Sequence, residues 1–170
     1  MSALPRVESM TWERVTREFD DRGPDVCRAE ITRELEMNNP ELLDMASRCA
    51  RDLGDSPRVM TGFCLFYRLL TVEARAEVGT SPQATGEQWG PLPRVSPGAR
   101  ESILRRIEAV GSSEFTREVI AELERENPQV LIMWHSFAED QTDYVGVMQG
   151  FALLYACLLA EAALGRSALH

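Results

Sequence analysis

The chain has no lysine: all 18 of its basic residues are arginines. That removes Schiff-base chemistry on a lysine and the lysine of a phosphate-binding loop. Histidine is nearly as scarce, with only His135 and the terminal His170. A nucleophile–histidine–acid triad would have to use one of these, and neither stands near a serine or cysteine motif. No Gly-x-Ser-x-Gly run occurs. The four cysteines, Cys27, Cys49, Cys64 and Cys157, include no pair at metal-ligand spacing. No stretch keeps up the two-residue alternation of a strand, so no strands are predicted and no glycine-rich turn can follow one. The residues carry no resemblance to a known family.

Charge narrows the classes further. The net charge is −9 over 170 residues. An acidic surface repels phosphate backbones, which argues against nucleic-acid binding. The composition, 44% hydrophobic and 26% charged, is that of a globular chain with a core rather than a disordered one. The opening residues MSALPRVESMTWERV lack the apolar run of a signal peptide, and the expected location is the cytoplasm.

What the chain does have is one unit written twice. VMTGFCLFYRLLTVEA begins at Val59 and VMQGFALLYACLLAEA at Val147. Shifting the sequence by 88 residues lays Leu4-Pro5-Arg6-Val7 on Leu92-Pro93-Arg94-Val95, Asn39-Pro40 on Asn127-Pro128, and Gly62-Phe63 on Gly150-Phe151. From Leu4 to Ala76, 27 of 73 positions are identical without a gap. Chance would give roughly one in fifteen for ordinary compositions. A period of this length is the first thing to settle about a fold. Two copies are too few for a solenoid. They fit a pseudo-symmetric pair, as if a homodimer had been joined into one chain. The expected division is a helical unit over residues 1–82, a linker over 83–91 and a second unit over 92–170, the two packing into one body. The linker lies within a Gly-, Pro-, Ser- and Thr-rich stretch, EVGTSPQATGEQWGP, which starts at Glu77.

Each unit reads as an extended arm and four helices, making the protein all-α. Helix A is expected over Thr11–Asp21 and Ala99–Ala109, ending at Gly23 and Gly111. Helix B covers Asp25–Asn38 and Ser113–Glu126, with Asp25 and Ser113 as N-caps. Helix C covers Pro40–Asp52 and Pro128–Asp140, capped by Asn39 and Asn127. Helix D follows Asp55 and Asp143 for some 20 residues. Its apolar run in the second copy, Val145–Ala160, is shorter than the roughly 20 residues a bilayer needs. The first copy has Thr61, Arg68 and Thr71 on the same helix. Helix D is therefore expected to be a central helix buried by protein. Gly62 and Gly150 stand inside it at matching places. A mid-helix glycine costs about 1 kcal/mol relative to alanine, and its physical reason is close approach of another backbone.

Several residues invite a functional interpretation, each beside a plainer one. The cysteines match Phe115, Phe137, Ala152 and Leu69 in the other copy, as small core hydrophobes would. His135 and Glu139 are one helical turn apart, a spacing that metal or proton transfer can use, but the first copy has Ser47 and Arg51 there. Glu30, Glu34 and Glu36 recur as Glu118, Glu122 and Glu124, and Glu73 recurs as Glu161. A dimetal carboxylate site would add Glu-x-x-His pairs, which the chain lacks. A solvated helix face is the simpler account, with Arg6 and Arg94 as partners for Glu73 and Glu161. Phe63, Tyr67, Phe151 and Tyr155, with Met60 and Met148, form a stripe on helix D. Together with Gly62 and Gly150 it is the candidate for an inter-unit contact or an apolar pocket. Trp89, Trp134 and His135 are candidate anchors for a partner protein.

The function this supports is a non-enzymatic protein-interaction module: an adaptor, an assembly component, or an inhibitor or regulator of another protein. A helical bundle binding an apolar small molecule between helices D is the alternative, and a carboxylate-metal helical enzyme ranks third. The expectation includes a protein partner, possible oligomerisation, no cofactor, no metal and no membrane association.

Overall fold

The computed structural model describes residues 5–52, 56–78, 92–132 and 144–168. Among these residues the protein is all helix, with no strand. Seven helices can be followed: α1 (Ser9–Arg22), α2 (Pro24–Asn38), α3 (Pro40–Asp52), α4 (Ser56–Val78), α5 (Pro97–Val110), α6 (Ser112–Glu126) and α7 (Tyr144–Ala168). Residues 128–132 are also helical. The rest of the expected second helix C lies outside the described residues, as do Trp89, Trp134, His135, Glu139 and the linker.

The outer helices each bury one stripe. Trp12, Val15 and Phe19 do so on α1, Cys27, Ile31 and Leu35 on α2, and Phe115, Val119 and Leu123 on α6. These spacings of three to four residues put one face inward and leave the charged residues outside. α4 and α7 are different. Phe63 to Tyr67 and Phe151 to Leu158 are buried without interruption. A helix apolar on all sides needs neighbours on all sides, and α4 and α7 supply the most extensive helix–helix contact in the molecule. α7 also runs further than its apolar core implies: Val145–Gly165, 21 residues, is long and apolar enough to cross a membrane by length and composition. The sequence counted only its first 16 residues. Half of the most apolar window is buried inside the protein.

The short connections correct two expected caps. Asp25 and Ser113 do not cap α2 and α6, which begin one residue earlier. Gly23 and Gly111 take the N-cap position, at φ +91° and +88°, with no side-chain cap. Only glycine adopts that backbone readily, and it lets the chain turn from one helix into the next across a single residue. The same glycines close the preceding helices, donating N–H to Phe19 O (2.9 Å) and Ile107 O (2.8 Å). Asn39 and Asn127 stand, as expected, at the residue before the proline that opens the next helix. Their main chains do the joining: each N–H reaches back four residues at 2.7 Å, and the Asn39 carbonyl accepts from Leu43 N–H at 3.2 Å. That frees both side chains for other work.

Candidate functional site: the central crossing and the arms

The centre of the molecule is the crossing of α4 and α7. A Cβ on Gly62 would meet the Val147 carbonyl oxygen, with Val147 Cα and carbonyl carbon at 2.7 Å. A Cβ on Gly150 would meet Val59 O and Phe63 N, with the Gly62 carbonyl carbon at 2.9 Å. Both obstacles are backbone, which cannot rotate away. The two contacts are reciprocal: 62 meets 147, and 150 meets 59.

The aromatic stripe fills the space around this crossing. Gly62, Phe63, Tyr67, Gly150, Phe151 and Tyr155 are all buried. Phe66 stacks on Phe151 at 4.7 Å between ring centroids and lies 6.5 Å from Tyr155. Trp12 of α1 approaches Phe151 at 6.5 Å. Burial raises the phenol of Tyr67 and pushes that of Tyr155 up to about 12, so both stay neutral. Sequence reasoning passed over Trp12 and Phe66, whose counterparts Arg100 and Leu154 are not aromatic.

The arms hold the periphery. Asn39, at the α2–α3 joint, donates from Nδ2 to Pro93 O at 2.9 Å and accepts Val95 N–H on Oδ1 at 2.8 Å. Asn127, at the end of α6, donates to Pro5 O at 3.1 Å. Each asparagine thus grips the arm that precedes the other set of helices, and Val7 and Val95 are buried behind it. The Asn127 Oδ1 is buried without a hydrogen bond. Glu73 and Glu161 tie the helix starts that follow the arms. The Thr11 hydroxyl donates to Glu73, while Ser96 donates to Glu161 from its hydroxyl (2.7 Å) and its N–H (3.1 Å). A carboxylate beside a helix N-terminus is favourably placed. The hydrogen bonds found for these carboxylates therefore come from hydroxyl residues, where the sequence had offered Arg6 and Arg94.

The remaining candidates are taken up by packing and ion pairs. Glu30 pairs with Arg22 (2.5 Å) and Arg68 (3.4 Å), and Glu34 with Arg75 (3.0 Å) and Arg68 (3.9 Å). The Arg22 hydrogen bond holds the Glu30 carboxyl below its ordinary value. Glu118 and Glu122 share Arg106. Among the described residues no group of three or more His, Cys, Asp and Glu is placed to hold a metal ion. All four thiols are free and buried. Burial pushes Cys49 up to about 11 and Cys64 to about 12, and raises Cys27 and Cys157. A thiol held in its neutral form is a poor nucleophile and a poor metal ligand.

Two cavities bear on ligand binding. A small one of about 40 Å³ lies among Cys49, Leu104, Ile107, Phe115 and Leu153, with Gln149 on its wall. It has room for a water or two. An open cleft of about 610 Å³ runs along the outside of α2, bounded by Asp25, Arg28, Thr32, Arg33, Glu36 and, from α4, Met60. Arg28 is already committed there, donating to Asp25 (2.9 Å), Pro57 O (3.2 Å) and Thr61 Oγ1 (3.2 Å).

Comparison with protein-family models, with curated proteins and with solved structures finds no match to this chain.

Proposed function

We propose that the chain is a non-enzymatic protein-interaction module, built from two copies of one four-helix unit by an internal duplication with an offset of 88 residues. The units are residues 1–82 and 92–170, with a linker over 83–91, and they pack into one body. The observation that carries the functional part is where the free space lies. The centre of the molecule, where a small-molecule site would be built between helices D, is filled by its own rings and glycines. Drug-sized ligands need clefts of about 300–1,000 Å³ lined mainly by apolar groups. The small cavity beside Cys49 and Phe115 is about 40 Å³. The roomy cleft is outside and rimmed by charged groups. That is the character of a surface for a polypeptide, whose interface carries a polar rim.

The other parts of the proposal have their own supports. Net charge −9 speaks against nucleic acid as partner. Phe151 to Leu158 of α7 are buried by protein and half of its apolar window is buried, which supports reading it as a core helix and not a span. Four free, buried thiols suit a reducing compartment such as the cytoplasm. No catalytic role, cofactor or metal is proposed.

Native mass spectrometry on protein purified gently from its own host tests this. The expected result is the chain mass with a stoichiometric protein partner. A bound mass of a few hundred daltons would overturn it in favour of the apolar-ligand alternative, and a bound metal ion would restore the carboxylate site.

A further inference from the structure

We infer that the α4–α7 interface is a homodimer interface in origin and in present chemistry. Its partner is a second copy of the four-helix unit, and Arg100 selects the unlike pair. The inference rests on the duplication but not on the proposed interaction function. In an interface between identical subunits, residue i touching j requires j to touch i across the twofold axis. With the 88-residue offset, Gly62 on Val147 implies Gly150 on Val59, and both contacts are found. Asn39 on the carbonyl of Pro93 implies Asn127 on the carbonyl of Pro5, and both are found. Two unrelated contact types, a backbone crossing in the core and a side-chain grip on the arm, obey one operator. The contacting residues are the same in both copies: glycine on valine, and asparagine on proline. So unit 1 presents to unit 2 a surface that unit 1 itself would accept.

The symmetry is not complete: the Asn127 Oδ1 lacks the N–H bond that Asn39 Oδ1 makes, and one charged contact departs from it in a way that bears on pairing. Arg100 of α5 reaches α3 of the other unit, with Nη1 at 3.0 Å from Glu41 Oε2 and 2.8 Å from Asp44 Oδ2. The position matching Arg100 is Trp12, and those matching Glu41 and Asp44 are Gln129 and Ile132. The ion pair can therefore form only when a unit 1 meets a unit 2. In a pair of first units Trp12 would face Glu41 and Asp44, and in a pair of second units Arg100 would face Gln129 and Ile132. The packing allows three pairings, and the charge favours one.

The test uses the full chain with a protease site inserted in the linker, folded and then cut. The cut protein is incubated in sub-denaturing urea so that halves exchange, then weighed by native mass spectrometry. The halves stay paired, and all three pairings appear. The unlike pair exceeds the half share that random pairing gives, by about fivefold in its equilibrium constant for a partly exposed ion pair of this kind. Arg100→Ala brings it back to that share with association intact. Halves that separate on cutting, a cut protein that yields only the unlike pair, or an Arg100→Ala protein with an unchanged distribution would each overturn the inference. Discovery of a small-molecule ligand, which would sink the functional proposal, leaves this one untouched.

Discussion

Replacing Gly150 by alanine gives the sharpest trial of the central crossing, because local and tertiary effects have opposite signs. In an ordinary helix interior the change stabilises by up to about 1 kcal/mol. Here the new Cβ would stand 2.9 Å from the Gly62 carbonyl carbon and closer still to Val59 O and Phe63 N. Ordinary contact begins near 3.5 Å between carbon atoms, so α4 and α7 must separate by something on the order of an ångström. Separation loosens Phe63, Phe66 and Phe151, all fully buried. Overpacking of a core side chain costs about 1–3 kcal/mol, occasionally more. An obstacle made of backbone belongs at the top of that range. After subtracting the helix-propensity gain, the expected net loss is about 2 kcal/mol. With an unfolding entropy of about 2.1 cal/mol/K per residue, that is a fall in Tm of about 6 °C for this chain. Urea unfolding followed by circular dichroism reads the difference, with the slope unchanged. Gly165, in the same helix with open space around it, is the control: its alanine variant should be neutral or slightly more stable. A Gly150→Ala protein as stable as the parent would refute the close crossing.

Removing the amide of Asn39 leaves the Pro93 carbonyl and the buried Val95 N–H without partners, at about 2–3 kcal/mol in total. The released arm should be cut faster by trypsin after Arg94, and an unchanged cutting rate in Asn39→Ala would show that the arm is held by other means. Alkali should unfold the protein through its thiols. Their folded values are raised by burial, so the stability they contribute is complete below the unfolded value near 8.5–9. It is lost as pH climbs from there through the folded values. Cys49, Cys64 and Cys157 together should remove about 4 kcal/mol per pH unit between about pH 9 and 11. Urea midpoints under reducing conditions that stay level from pH 8 to 10.5 would contradict this, and Cys64→Ala should reduce the slope by about a third.

The fold was legible to the extent that one copy could be checked against the other. Gly23 and Gly111 marked a break, and Pro40 and Pro128 fit the first position of a helix, where a missing N–H costs nothing. The expected caps of helix D, Asp55 and Asp143, lie outside the described residues. The caps at Asp25 and Ser113 were misread, and what the Asn39 side chain does was not foreseen. Propensity assigns Asp, Ser and Asn side chains to helix ends because that is their commonest local partner. At Asn39 a partner distant in sequence, the arm at Pro93–Val95, competes and wins, and the backbone alone suffices for the joint. Sequence distance hides such partners. The same holds for Glu73, whose hydroxyl partner lies 62 residues away.

The residues that differ between copies were the least legible, and they say most about the history of the interface. Periodicity and duplication identify what both halves need: the glycines of the crossing, the asparagines of the arm, the buried stripes. They are silent where the halves have gone separate ways. Trp12 adds a ring against Phe151 in one half, while its counterpart Arg100 makes the ion pair with Glu41 and Asp44 in the other. Arg68, 12% exposed, lies over Glu30 and Glu34 where the second copy has Ala156. On the proposed duplication, fusion of two units in one chain would make such divergence tolerable, since each half would meet the same partner at a high effective concentration. On that proposal, once pairing no longer depended on likeness, one unit's arm and α5 could be tuned to the other's α3. Outer faces such as the α2 cleft would then be freed from any requirement to match.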